Sequence, residues 1–343
     1  LLIYIMSDTA VIYVGALLYI VFNTKKALVD ESISYVNATA EKNANRVKDD
    51  LDVDITICRT IASAYLGYKD IPKAKRVKIY NDMLKNVLLN DNHFVSFWVS
   101  WELNAIDPDY DREHGRERYT YYRDGDQLIY QEEVLETNVE QVSGIYYDIK
   151  AKPAETITEP YFYSYTGDED KQILEASVAV PIMDNGEFAG LVGADIELER
   201  FHSIISKIKP FENAYAFLVS NQGSIVSHPK QDLINMPVSD SELGGKNNEN
   251  IVENIRAGKS FAYETKLNDN ETYYVSFAPF TVGNSNTPWS VAILVPKSVI
   301  LSKANQILWI SVIVGLIGLL LIGLIIRFIA NKITNPLKKK KKI

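Results

Sequence analysis

Apolar positions along this chain follow three different rhythms, and each predicts a different kind of element. The first is an unbroken run. Ile307 to Ile326 carries 20 residues without a charge, relieved only by Ser311, Gly315, Gly318 and Gly323. As a helix it would be about 30 Å long, the thickness of a bilayer's hydrocarbon core, and it lacks the polar stripe of a helix packed inside a soluble protein. A transmembrane helix is therefore predicted within residues 304–330. Residues 1–22 form a second apolar run, interrupted by Ser7 and Asp8. No small-residue cleavage site follows it, so a membrane span is expected in place of a removable signal peptide.

The second rhythm has steps of three and four. Between Asn23 and about Lys69 neither Gly nor Pro occurs before Gly67, and Ile33, Val36, Ala40, Ala44, Val47, Leu51, Ile55 and Ile61 recur on one stripe. This predicts a helix about 65 Å long. Ile71 and Pro72 end it, and Lys75 to Leu89 predicts a shorter amphipathic helix, completing a helical region over residues 23–92.

The third rhythm is alternation. From Phe94 onward, aromatic and β-branched runs separated by turn residues predict strands. Asp124-Gly125 and Asn185-Gly186 sit between such runs and predict two tight hairpins. Glu199 to Lys209 predicts a helix, and Pro210 marks a boundary between a first module over 93–209 and a second over 210–303. The second repeats the theme: a strand pair near Phe217 to His228, a hairpin from Ser260 to Phe280, and a last strand from Trp289 to Pro296. The expected fold class is α+β, a long N-terminal helix with two stacked antiparallel-sheet modules, flanked by two transmembrane helices.

Charge adds an orientation. The chain has 36 basic and 44 acidic residues, a net charge of -8, yet Arg327, Lys332 and Lys338 to Lys342 crowd behind the second apolar run. The positive-inside rule then puts the C-terminus in the cytoplasm and residues 23–306 outside, in a multi-pass protein of the plasma or inner membrane. An acidic ectodomain is a poor binder of nucleic acid, whose phosphates demand basic surface. The single cysteine, Cys58, excludes an internal disulfide. Because the sequence starts at Leu1, with Met6 as a candidate initiator, it is expected to be a fragment.

A search for catalytic patterns is negative. His93, His114, His202 and His228 are scattered, and no HExxH, CxxC, P-loop or dinucleotide fingerprint occurs. His228, before Pro229, reads as a surface turn histidine. The acids Glu132-Glu133 and Asp168-Glu169-Asp170 read as solvated turn charges. No enzyme activity, metal or cofactor is expected of the chain.

Four segments, in order, resemble the double Cache sensor domains of bacterial and archaeal chemoreceptors and sensor histidine kinases: GRERYTYYRDG at 115–125, GIYYDIKAKPAETITEPYFY at 144–163, PIMDNGEFAGLVGADIEL at 181–198 and FLVSNQGSIVSHP at 217–229. NKITNPLK at 331–338 resembles the opening of a HAMP linker. The resemblance implies two PAS-like modules, a small-molecule site in the first, and an output carried by cytoplasmic signalling proteins. Of the proteins that share such a front end, the resemblance puts a methyl-accepting chemotaxis receptor first, with sensor histidine kinase and diguanylate cyclase as alternatives. A membrane-anchored hydrolase is a further alternative, but it lacks a nucleophile.

The candidate ligand residues are Asp195, Arg118, Tyr121, Tyr147, Trp98, Trp101 and Tyr163. Asp195 is a carboxylate at the end of an apolar strand, where it needs a partner; the resemblance makes it the group that grips a ligand amine. An equally open reading has it capping the helix that begins near Leu198. Arg118 suits a ligand carboxylate, with Arg123 placed less surely by alternation. The aromatic residues offer flat apolar walls with polar tips, although strands favour aromatics for packing alone. The segment around Arg118 carries no Trp where amino-acid-binding relatives read R-x-W-Y, so amines, organic acids and other small metabolites stay open beside amino acids. A homodimer is expected, with the long helix and the face of Gly315, Gly318 and Gly323 as candidate contacts.

Overall fold

The computed structural model describes residues 2–138, 142–244, 248–267 and 269–340. Helix α1 (Leu2–Ala64) is continuous from the first apolar run through the predicted stalk. A short 3-10 segment follows, and α2 (Lys73–Asn90) starts directly after Pro72, whose fixed φ suits the start of a helix. Ala40, Ala44, Val47, Leu51, Ile55 and Ile61 of the predicted stripe are all buried, together with Asp54 and Cys58.

Two antiparallel sheets follow. The first contains β1 (Ser96–Glu102), β2 (Arg116–Asp124), β3 (Gln127–Leu135), β4 (Thr156–Ile157), β5 (Tyr161–Tyr163), β6 (Ile173–Asp184) and β7 (Glu187–Glu197), in the order β3-β2-β1-β7-β6-β4 with β5 also on β6. Helix α3 (Leu103–Ile106) follows β1, and α4 (Ile145–Ala151) precedes β4. Helix α5 (Glu199–Ile205) ends the module. The second sheet contains β8 (Tyr215–Val219), β9 (Ile225–Ser227), β10 (Phe261–Lys266), β11 (Thr272–Phe280) and β12 (Trp289–Pro296), in the order β10-β11-β12-β8-β9, with α6 (Asn248–Arg256) between β9 and β10. With β3 set aside as an added edge strand, and β4 and β5 counted as one strand on β6, each sheet runs second, first, fifth, fourth, third within its own module. The fold thus repeats where no repeat is visible in sequence.

The predicted hairpins form as expected. Gly125, and Asn185 with Gly186, adopt positive φ, as two-residue turns between twisted strands require. His228 departs from expectation. It is fully buried, its Nδ1 accepting from the Lys230 N–H at 2.9 Å and its ring edge-on to Tyr215 and Phe217. Burial lowers its pKa to about 4, which keeps it neutral.

By contacts the chain divides into two units. One holds both sheets, over residues 37–210 and 214–294; the other holds residues 1–36, 211–213 and 295–343. Within the first unit the segment from Glu155 to Tyr163 ties the sheets together. Glu155 accepts from Arg59 of α1 and from the Asn284 N–H at 2.7 Å; Glu159 accepts from Ser220 Oγ and from the Gln222 N–H at 3.0 Å. Gly283, at φ +51°, makes room for this, since a Cβ there would lie 2.4 Å from Glu155 Oε2.

Within the second unit, α7 (Lys297–Lys340) carries the second apolar run. Two helices are long and apolar enough to cross a membrane, with mean hydropathy of 1.4 for the first and 2.9 for the second. They meet at glycines: Gly315 faces Leu17 and Gly318 faces Tyr13 so closely that a Cβ would collide with either, while Gly323 faces open space. The small-residue face expected to meet a second subunit is thus largely used inside the chain. Residues 331–340 of the HAMP-like segment continue α7 as backbone, and 341–343 lie outside the described residues.

Candidate functional site

The first sheet has two faces with different work, because side chains alternate along each strand. One face packs under the helices: Tyr65 and Tyr80 stack on each other at 4.0 Å, Trp101 packs against that pair with centroids at 5.8 and 6.1 Å, and Tyr121 meets Tyr130 at 5.1 Å. The other face lines a cavity of about 320 Å³. β1 supplies Trp98 to it, β2 supplies Arg116, Arg118 and Thr120, β6 supplies Glu175 and Ser177, and β7 supplies Asp195. Tyr146 of α4 and Tyr161, Tyr163 and Tyr165 close the remaining sides.

Cross-strand register brings the acidic groups together. Ser96 pairs with Asp195 and Ser177 pairs with Asp195 from the other side, which sets Glu175 diagonally beside it. Asp195 is 6 % exposed and Glu175 1 %. Asp195 Oδ1 accepts from Ser177 Oγ at 2.6 Å and Trp98 Nε1 at 3.1 Å, while Tyr161 OH, 3.4 Å from it, donates to Ser177 Oγ at 2.7 Å; Oδ2 accepts from Ser96 Oγ and from Tyr165 OH at 2.8 Å. Among the described residues no ion pair reaches either carboxylate. Burial first, and then the Asp195 charge, push Glu175 up to about 8. Tyr165 OH lies 3.0 Å from Glu175 Oε2 as well. One phenol proton serves one acceptor, so a protonated Glu175 donating to the phenol oxygen while Tyr165 donates to Asp195 satisfies all three groups. Burial and the same two carboxylates hold the Tyr161 and Tyr165 hydroxyls far above the ordinary tyrosine range.

The opposite wall is basic but self-neutralised. Arg116 donates through Nε and Nη2 to Glu136 at 2.7 and 2.9 Å, and through Nη1 to Ser100 Oγ at 3.2 Å; its guanidinium also lies 4.6 Å over the Tyr146 ring. Arg118 donates twice to Glu133 Oε2, at 2.9 and 2.5 Å. Glu133, expected as a solvated turn charge, is therefore the strand partner of a cavity arginine.

Of the seven sequence candidates, Asp195, Arg118, Trp98 and Tyr163 line the cavity. Trp101 and Tyr121 are on the helix-covered face and belong to packing. Tyr147 sits on α4 edge-on to Tyr146 and His114 and is not among the lining residues. Arg123 points away and donates to the carbonyls of Phe94 and Asp91. The helix-cap reading of Asp195 does not hold, since α5 begins from Leu198 with no side-chain cap. Glu175 and Ser177 were missed, although an acid inside the apolar run Ile173 to Val180 is the same signal that singled out Asp195.

Residues 24–304 match the Cache domain family dCache_1. The methyl-accepting chemotaxis protein PctB of Pseudomonas aeruginosa is 29% identical over 184 residues, which take in 52% of this chain and 27% of PctB. The chain thus matches about a quarter of that relative's length. The extracellular domain of mmHK1S-Z3 is 26% identical, with a TM-score of 0.64 over 80% of this chain and 98% of that one. The PctB ligand-binding domain in complex with L-Arg shares the fold at 22% identity and a TM-score of 0.51, covering 77% of this chain and 95% of that one. A match over residues 24–304, with two like modules and a cavity on the open face of the first, makes this chain a member of the Cache domain family.

Proposed function

We propose that the chain is the sensing part of a transmembrane chemotaxis receptor, and that the cavity of its first module takes a small cationic amine-bearing molecule. The observation that carries this is the pair of buried carboxyl groups, Asp195 and Glu175, which no ion pair reaches among the described residues, while each cavity arginine already has its own acid. A buried negative charge without a counter-ion is costly, and a ligand ammonium relieves that cost. Organic acids are disfavoured by the same balance. PctB is a chemotaxis receptor by name and its domain takes L-Arg; at 22% identity that likeness is one of fold, so the ligand chemistry is read from the cavity.

Occupancy would bias two arrangements of the module, with the second apolar helix carrying the difference inward to cytoplasmic signalling proteins. Residues 23–306 are then extracytoplasmic and the basic end of α7 cytoplasmic. A second reading, an α-amino acid whose carboxylate displaces Glu133 from Arg118, is favoured by the position of Arg118 across the cavity from Asp195. The test is a thermal-shift screen of the full chain in maltoside micelles against amines, amino acids and organic acids. Stabilisation by cations that is lost in Asp195→Asn supports the reading; stabilisation by organic acids alone overturns it.

A further inference from the structure

Asp195 is crowded with donors to an unusual degree. A carboxylate offers about four lone-pair sites. Four side chains of this protein, Ser96, Trp98, Tyr165 and Ser177, already donate to Asp195, and the Tyr161 hydroxyl supports the set through Ser177 Oγ at 2.7 Å. An arriving primary ammonium would have to displace one of them to make an N–H···O bond to Asp195, and the displaced hydroxyl or indole N–H would be left buried without a partner. The charge of Asp195, by contrast, stays available, because hydrogen bonds from neutral groups do not cancel it.

The rings around that charge are set at right angles to one another. Tyr161 and Tyr163 have centroids 6.4 Å apart at 83°, and Tyr163 and Tyr165 4.8 Å apart at 75°. Two of the lining rings are backed from outside. Tyr165 stacks on Tyr122 at 4.9 Å, and the Trp98 indole lies over Gly193, where a Cβ would come within 2.3 Å of the ring. Their opposite faces are thereby turned to the cavity. Tyr146 is different, because its face is taken by the Arg116 guanidinium.

We infer that this cavity is built for an alkylated ammonium, a cation bearing methyl or methylene groups in place of N–H, held by the charge of Asp195 and the faces of Trp98, Tyr161, Tyr163 and Tyr165. Such a cation asks nothing of the saturated lone pairs, and its polarised methyl groups meet ring faces favourably. No carboxylate on the ligand is required, since both arginines are already paired. The inference rests on the amine reading above and narrows it to one class of nitrogen.

The test holds charge constant and changes only N–H for methyl. The chloride salts of methyl-, dimethyl-, trimethyl- and tetramethylammonium are titrated into the full chain in maltoside micelles at pH 7 and followed by calorimetry. Affinity should rise along the series, by about tenfold from first to last, the scale of a cation–π contribution. Tyr163→Leu should remove most of that gain and Tyr163→Phe should keep it; Tyr163 donates no bond to Asp195, so both variants leave the carboxylate network intact. A flat or falling series, or an unaltered gain in Tyr163→Leu, overturns the inference. If no member of the series binds while α-amino acids do, the inference fails and the amine reading survives. If no cation of either kind binds, both fail.

Discussion

Arg59 on α1 grips Glu155, Nε to one carboxylate oxygen at 2.5 Å and Nη2 to the other at 2.8 Å. The pair is bidentate, and Glu155 takes the Asn284 N–H of the second module on the same oxygen as Nη2. One carboxylate therefore joins the long helix, the edge of the first sheet and a loop of the second. The Arg59 hydrogen bond, ahead of the opposing effect of burial, holds the Glu155 carboxyl below its ordinary value of 4.5. Its stabilisation is full above 4.5 and is lost as pH falls through the lowered value. Arg59→Met should cost about 1 kcal/mol at pH 7, a figure discounted for the solvent-facing side of Arg59. Melting curves of the full chain should show that difference shrinking towards zero as the pH is taken down from 4.5.

Glu175 carries the opposite sign. Its folded value of about 8 lies above the ordinary 4.5, so between those limits the folded chain keeps a proton that the unfolded chain gives up. Its contribution is complete below 4.5 and is lost as pH rises through 8, a swing of roughly 5 kcal/mol at most. Glu175→Gln should melt higher than the parent at pH 9 and close to it at pH 4.

The same carboxyl links ligand to protons. A cation in the cavity favours ionised Glu175, so binding at pH 7 should release a fraction of a proton, and affinity should climb between pH 6 and 8 before levelling. Calorimetry in two buffers of different ionisation enthalpy measures the release. An unchanged proton count in Glu175→Gln would assign the effect to another group.

Gly193 is a sharp test of the Trp98 wall. Any side chain there meets the indole, so Gly193→Ala should force Trp98 off the strand at a cost of about 1–3 kcal/mol. Ligand binding should fall at least tenfold, since Trp98 both lines the cavity and donates to Asp195, a bond to a charged acceptor. Tryptophan emission should shift with it.

Trp101 and Tyr121 supply the contrast. Trp101→Ala should lose about 3–5 kcal/mol of stability, because it leaves a cavity beside the stacked pair Tyr65 and Tyr80. Tyr121→Phe should leave ligand affinity within twofold of the parent. A large loss of affinity in Tyr121→Phe would mean that the two faces of the sheet are not independent.

The helices, hairpins and order of modules were legible in the sequence because each follows from local periodicity: the stripe from Ala40 to Ile61, or the Asp-Gly and Asn-Gly turns. The cavity was only half legible. Alternation says that Tyr119 and Tyr121 share a face and that Arg116, Arg118 and Thr120 share the other, but not which of the two a helix covers. That depends on where α2 lands, a long-range matter, and it is why alternation alone did not tell Trp98, which lines the cavity, from Trp101, which packs under the helices. Glu175 becomes conspicuous only once Ser177 is paired with Asp195. The burial of His228 likewise rests on Tyr215 and Phe217, neighbours across a strand that its own dipeptide with Pro229 does not announce.

The segment from Glu155 to Tyr163 has a thermodynamic consequence. Thr158, Tyr161 and Tyr163 line the cavity, while Glu155 and Glu159, on the same few residues, hold the loops of the second module. Coupling between two sites is reciprocal by necessity: whatever factor the ligand applies to the hold of Glu159 on Ser220, breaking that hold must apply to ligand affinity. The dissociation constant of the cavity is in this sense a gauge of the second module, readable from a substitution such as Ser220→Ala that lies outside the binding wall.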